Sequence, residues 1–309
     1  MIELAVQNID GDIFEISDIT TDISWSDKLN DGCSKLEIKY IKNDKITLKN
    51  GCIVRYTYDG EKIFLGKVFK WGKSNDKEMT ATCYDQLRYA KTKDIIVVKD
   101  KKLGGVVQQM CTKLSLKSGT IEDTGYILPI AMHDDKTWLD IIASGIRETL
   151  IAKSAKYRLA DEFGSITLRN LANLKTDLIL GDESLAYGYE YECSIDDETY
   201  NYIKVVSGNE KTGKVDVYVT QDTESIKKYG ILMYFDKLEN DVPKAQATER
   251  ANLLLQLYNR ETETLKLDCL GDNRIRAGVS FYCAISELGI AYRVICSKVT
   301  HNYLPVHTM

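Results

Sequence analysis

Long apolar runs are missing from this 309-residue chain. None approaches the roughly 20 residues that a membrane-spanning helix needs. The opening Met1-Ile2-Glu3-Leu4-Ala5-Val6 has neither the basic nor the apolar region of a secretion signal, so the chain is expected to stay in the cytoplasm or leave by a route that ignores such signals. An excess of basic charge is missing too. Against 46 Asp and Glu stand 41 Lys and Arg, and a net charge of -5 argues against a nucleic-acid binder. Histidine is scarce: His133, His301 and His307 are scattered, and neither a zinc site nor a Ser/His/Asp or Cys/His arrangement can be built from them. The eight cysteines, at 33, 52, 83, 111, 193, 269, 283 and 296, include no Cys-x-x-Cys pair. In a chain without an export signal they read as small buried thiols, with Cys52, Cys83 and Cys283 at inward strand positions.

What is present is ordinary for a globular protein: 44% hydrophobic and 28% charged residues, with length for two to four compact units. The informative stretch is 265–309. Leu265, Leu267 and Cys269 alternate with polar residues, and so do Val279, Phe281, Cys283 and Ile285, then Ile290, Tyr292 and Val294. The turns between them carry Gly271, Gly278 and Gly289. Period-two alternation with Gly-bearing turns describes an antiparallel sheet curling toward a small barrel.

The same layout stands near the N-terminus. A shift of 227 residues carries Gly51 onto Gly278, and Cys52, Val54, Tyr56 and Tyr58 onto Val279, Phe281, Cys283 and Ile285. Ile63 and Leu65 then fall on Ile290 and Tyr292, and the preceding Leu36, Ile38 and Tyr40 resemble Leu265, Leu267 and Cys269. The match runs through several strands and both turns, so the chain reads as two related barrels.

Between them the period changes. Leu103, Val106, Val107, Met110 and Leu114 follow helical spacing, and Thr137 with Asp140 forms a capping-box signature before a second helix bearing Trp138, Ile141 and Ile142. A hairpin follows over 157–168. Trp25 and Trp71 read as barrel-end or inter-domain packing residues. After strands at 187–191, 201–206 and 214–220, a short helix ending at Gly230 and a longer one opened by Pro243 interrupt the pattern. The expected fold is therefore mainly β with α+β. A first barrel spans 1–95, a small α+β domain with two helices spans 96–176, a second barrel spans 177–221 and 263–309, and a helical insertion spans 222–262.

Motifs that could carry chemistry lack their context. Gly208-Asn209-Glu210-Lys211-Thr212-Gly213-Lys214 has phosphate-loop spacing, but Val215 stands where a magnesium-binding hydroxyl belongs and a strand follows instead of a helix. It reads as a hairpin turn. Asp182-Glu183 and Asp196-Asp197-Glu198 could supply paired carboxylates for glycoside hydrolysis, yet nothing nearby raises one of them into a general acid. Ser184 has no nucleophile-elbow glycines. Neither catalysis nor a cofactor nor a metal is expected.

Several runs in fixed order resemble the XkdQ/YqbQ family of phage tail proteins. They are Ile179-Leu180-Gly181-Asp182-Glu183-Ser184, then Ser194-Ile195-Asp196-Asp197-Glu198-Thr199-Tyr200-Asn201, and Asn209 through Lys214. Tyr258-Asn259-Arg260, Gly271-Asp272, Arg276-Ala277-Gly278, Thr300-His301 and His307-Thr308-Met309 continue the likeness, and Tyr84 to Tyr89 and Lys136 to Leu150 extend it over almost the whole chain. The resemblance implies a baseplate hub subunit of contractile tails, infectious or bacteriocin-like. It implies a homotrimeric ring docked to the tail tube above and the spike below, alongside other baseplate proteins, in a particle assembled in the host cytoplasm. It also implies a short closing strand beyond His307-Thr308-Met309, where this sequence stops; either that strand is absent or another chain completes the sheet, and an open edge there would invite pairing. Motif membership and strand-edge placement make Asp182, Asp196, Asp197, Thr199, Tyr200, Asn201, His301 and His307 the expected interface residues. A tail-tip protein that binds or hydrolyses peptidoglycan is the alternative, motivated by the acidic turns and 19 tyrosines.

Overall fold

A computed structural model describes residues 1–309 apart from 44, 45, 47, 75, 76, 210–213 and 239–241. The alternating N-terminal segments form β1 (Ile2–Gln7), β2 (Ile13–Glu15), β3 (Thr20–Lys28), β4 (Lys35–Ile41), β5 (Ile53–Tyr58), β6 (Glu61–Ser74) and β7 (Glu78–Tyr84). The β5–β6 turn places both Asp59 and Gly60 at positive φ, the conformation that a two-residue hairpin with native twist requires.

The α+β unit contains β8 (Lys93–Val98), α1 (Leu103–Lys113), β9 (Ser118–Ile121), β10 (Ala131–Thr137), α2 (Trp138–Lys153), β11 (Tyr157–Asp161) and β12 (Ile166–Asn170). The Thr137–Asp140 capping box is formed, each side chain satisfying the other residue's backbone N–H at the start of α2. The apolar stripes of α1 and α2 meet β11 and β12 in a core around Trp138, Val107, Met110 and Ile142. The boundary expected at 95/96 falls inside β8, which pairs with β10 and so belongs to this unit.

The last third has β13 (Lys175–Gly181), β14 (Ala186–Ser194), β15 (Tyr202–Asn209), β16 (Lys214–Gln221), α3 (Thr223–Tyr229), β17 (Met233–Leu238), α4 (Lys244–Tyr258), β18 (Thr262–Cys269), β19 (Ser280–Ile285), β20 (Ile290–Ile295) and β21 (Lys298–Asn302). Two expected assignments are corrected here. The hairpin β15–β16 does not join the C-terminal sheet. It pairs with β17 in the order β16-β15-β17, and α4 packs on one face through Ala247, Ala251 and Leu254 against Ile203 and Val205. The insertion is therefore α/β rather than helical, and it leaves and re-enters the chain where Ser194 pairs with Thr262 at the end of the β14–β18 ribbon. Of the phosphate-loop-like segment, Glu210 to Gly213 lie outside the described residues, and the flanking strands form an antiparallel hairpin.

The second correction concerns β21. It runs antiparallel to β3, with His301 opposite Trp25, and completes the eight-stranded order β2-β1-β5-β6-β7-β4-β3-β21. Among the described residues β2 and β21 are that sheet's edges, and no hydrogen bonds close it into a ring. The N-terminal and C-terminal strands also share one core, in which Leu4, Ile38, Tyr56 and Cys83 pack in the same cluster as Leu180, Phe281, Cys283 and Tyr303.

Strand by strand, the two ends of the chain still correspond. The antiparallel pairs β3–β4 and β5–β6 have counterparts in β14–β18 and β19–β20, and β13 flanks β19 as β1 flanks β5. Direction and register differ in detail. β13 is parallel to β19 whereas β1 is antiparallel to β5. The β19–β20 turn is two residues longer, so Ile290 faces Ile285 as Glu61 faces Tyr58, and the expected match of Ile63 with Ile290 slips by two.

Candidate functional site

Each of the eight expected interface residues has a definite place, and the structure does not bring them together. Asp182 lies in the exposed turn after β13 and accepts the Ser286 backbone N–H at 2.7 Å, a bond that holds its carboxyl below the usual range. Asp196 and Asp197 are exposed at the root of the insertion, where the Asp197 carbonyl accepts from the Thr262 hydroxyl. Thr199, Tyr200 and Asn201 are wedged inside that root. Thr199 donates to the Arg260 carbonyl, and Tyr200 packs edge-on against Tyr258. The fully buried Asn201 bonds the Gly230 carbonyl and the Leu232 N–H. A buried amide with both ends satisfied positions backbone; it offers nothing to a partner. Thr199 and Asn201, expected at an interface, are thus buried within the subunit and bonded to its own backbone.

His301, also expected at an interface, is buried too. It has no exposed surface, stacks on Trp25, and bonds the Ile275 carbonyl at 2.8 Å through Nε2 and the His307 Nε2 at 2.9 Å through Nδ1. Burial holds its pKa down at about 4, against an ordinary value of 6.5. His307 stacks on Tyr303 and lies so close to Gly271 that a Cβ there would sit 2.1 Å from the ring. Of the two tryptophans expected to pack at a barrel end or between domains, Trp25 is buried against His301, whereas Trp71 is 43% exposed.

Charged joints tie the units together. Asp27 of β3 accepts Arg158 of β11 at 2.7 Å and the Ala277 N–H at 3.2 Å, so one buried carboxylate connects all three regions. Arg250 of α4 grips Glu148 of α2 with both Nη atoms at 2.6 and 2.8 Å and Asp236 of β17 through Nε, fixing the insertion against the α+β unit. Bidentate pairing of this kind sets geometry as well as energy.

Besides the exposed acidic turns, two strand faces carry exposed apolar side chains. On the sheet face opposite α4, Val215, Val217 and Val219 line one edge strand, β16, and Met233 and Phe235 the other, β17, with Tyr202 and Lys204 of β15 between them; the five apolar side chains are each about half exposed or more. Ile95, Val97 and Met132 form a second exposed stripe on the β8–β10 ribbon. Alternation in β16 identifies two faces without saying which one a helix will cover. Exposed apolar strand faces are candidates for association. Among the described residues no group of three or more His, Cys, Asp or Glu is placed to hold a metal ion, and no helix is long and apolar enough to cross a membrane.

Comparison with known proteins gives a consistent answer. The YQBQ-like family matches residues 23–309. The protein YqbQ of Bacillus subtilis (strain 168) is 26% identical over 282 residues, covering 89% of this chain and 85% of that protein. The phage-like element PBSX protein XkdQ of the same organism is 26% identical over 268 residues, covering 85% and 81%. Among solved structures, the 43 kDa tail protein of prophage MuSo2 from Shewanella oneidensis superposes with a TM-score of 0.73 over 99% of this chain and 96% of that one, at 11% identity. At that identity the likeness is one of fold.

Proposed function

The chain belongs to the YQBQ-like family, and from that premise we propose that it is a structural baseplate hub subunit of a contractile phage tail or tail-like particle. It works by shape: three copies form a ring that joins the tail tube to the central spike, without catalysis or cofactor. Membership of a family that includes a phage-like element protein supports the tail setting, as does the fold shared with a prophage tail protein. The observation that carries the hub reading is the recurrence of one strand arrangement at both ends of the chain, β3–β4 with β5–β6 and β14–β18 with β19–β20. Three copies then present six similar units, so a threefold object can meet a sixfold tube, and head-to-tail contacts that close by rotation give a ring rather than a filament.

Partners in this reading are the tube and spike proteins and further baseplate proteins, within the virion or tail-like particle. The exposed apolar face of β16 and β17 and the exposed Asp182, Asp196 and Asp197 are the contact surfaces. An obligate ring buries more than about 2,000 Å² per contact. Light scattering of the protein with its tube and spike partners should report three copies, and electron microscopy should show capped tubes. A monomer in the presence of both partners refutes the reading.

A further inference from the structure

The two exposed apolar strand faces differ in charge, and they are braced against each other. In the insertion, Val219 of β16, Lys204 of β15 and Phe235 of β17 stand in one row across the sheet, and Val217, Val206 and Lys237 in the next. Lys204 therefore rises from among apolar neighbours. Among the described residues neither Lys204 nor Lys237 forms an ion pair. On the β8–β10 ribbon Val97 stands opposite Met132, and the bulge between His133 and Lys136 sets Asp134 and Asp135 opposite Ile95. Asp135 is held by Lys93 at 2.8 Å, whereas the exposed Asp134 has no ion-pair partner among the described residues. Lys99 lies past Val97, at the other end of that stripe. The joint between the units connects the two faces directly. Asp236, between Phe235 and Lys237 in β17, accepts from Arg250 and, at 3.3 Å, from Arg147 of α2, and α2 starts where β10 ends. Two faces on one braced block keep a fixed angle, as each subunit of a ring that closes by rotation must.

We propose that the β16–β17 face of one copy receives the β8–β10 stripe of the next, with Lys204 meeting Asp134. The occupant is a second copy because the chain itself carries both halves of the contact. Each face is an apolar strand surface, and the unpaired cation of one is answered by the unpaired anion of the other. Neither face complements itself. Two β16–β17 faces would set lysine against lysine, and two ribbon faces aspartate against aspartate, an arrangement that like charges oppose. The contact is therefore head-to-tail, and a copy that uses one face keeps the other free for a further neighbour. The inference rests on the hub reading for the number of copies and on these two faces for the contact. It gives the β16–β17 face to the neighbouring subunit rather than to tube or spike.

The test is sedimentation velocity of the whole protein, followed up to about 100 µM. Wild type should associate. Val217→Asp spoils one face and Ile95→Asp the other, so each variant alone should sediment as a monomer. An equimolar mixture of the two should form a dimer and stop there, because one intact pair of faces is joined and only the spoiled pair is left over. Lys204→Glu and Asp134→Lys should each weaken association about tenfold or more, and the double variant should recover to within about threefold of wild type. Wild type that stays monomeric at about 100 µM overturns the contact and leaves the hub reading to the mixture with tube and spike. Dimers of Ile95→Asp alone would mean that the β16–β17 face pairs with itself, which overturns it. So does association that survives both aspartate variants, a mixture that stays monomeric, or a double variant that does not recover. Open chains of more than three copies, broken by the same variants, would uphold the contact and refute the ring.

Discussion

The first and last strand systems use the same parts, and they differ in how well those parts are covered. At the N-terminal end β4 is paired on both edges, and Leu36, Ile38 and Tyr40 have no more than 1% of their surface exposed. At the C-terminal end β18 is paired with β14 along one edge and, among the described residues, on the other only where Cys269 meets Met309, and of Leu265, Leu267 and Cys269 only Cys269 is fully buried. The sequences of the two strands would not lead one to expect this, since both alternate in the same way. Burial depends on the neighbour that arrives, and the neighbour is specified elsewhere in the chain.

Substitutions can break or sharpen that contrast. The largest effect belongs to the carboxylate that joins the well-covered half to the rest. Arg158→Ala leaves Asp27 buried without its partner, and urea unfolding should show a loss of about 3–5 kcal/mol; a loss below about 1 kcal/mol would mean the joint is solvated. Next comes the attachment of β21. The pKa of His301 is lowered in the folded state to about 4 from 6.5, so the stabilisation is complete above pH 6.5 and disappears as pH falls toward 4. Over that window stability should fall by about 3 kcal/mol, and His301→Gln should flatten the profile. The matched pair Ile38→Ala and Leu267→Ala follows. The first removes a fully buried side chain and should cost about 2–4 kcal/mol, the second about half as much or less. Equal costs would show that Leu267 is covered in solution as Ile38 is. Smallest is a difference in hydrogen exchange: the amides of Leu265 and Leu267 should exchange about tenfold or more faster than those of Leu36 and Ile38.

Local signals were legible and long-range ones were not. Thr137 with Asp140 announced the start of α2 because both partners of the cap lie within four residues. The β19–β20 hairpin was legible from Phe281, Cys283 and Ile290, although its two-residue longer turn was not, since alternation survives a slip of two. The hairpin β15–β16 was placed in the wrong sheet because Val215, Val217 and Val219 say that a face is apolar without naming its cover. Of the candidate residues, the motifs located Asp182, Asp196 and Asp197 on the surface, but Asn201 and His301 turned out to be buried struts whose partners, Gly230 and Trp25, are remote in sequence.

The pairing of β21 with β3 sets the order in which the protein can be finished on the ribosome. Ser24 to Lys28 emerge early, yet their outer edge stays bare until Lys298 to Asn302 are made. A nascent chain therefore carries an unsealed strand until the residues between the two strands have been made, during which it is open to stray pairing. Products terminated before Lys298 should be recognisable by that bare edge and prone to aggregate.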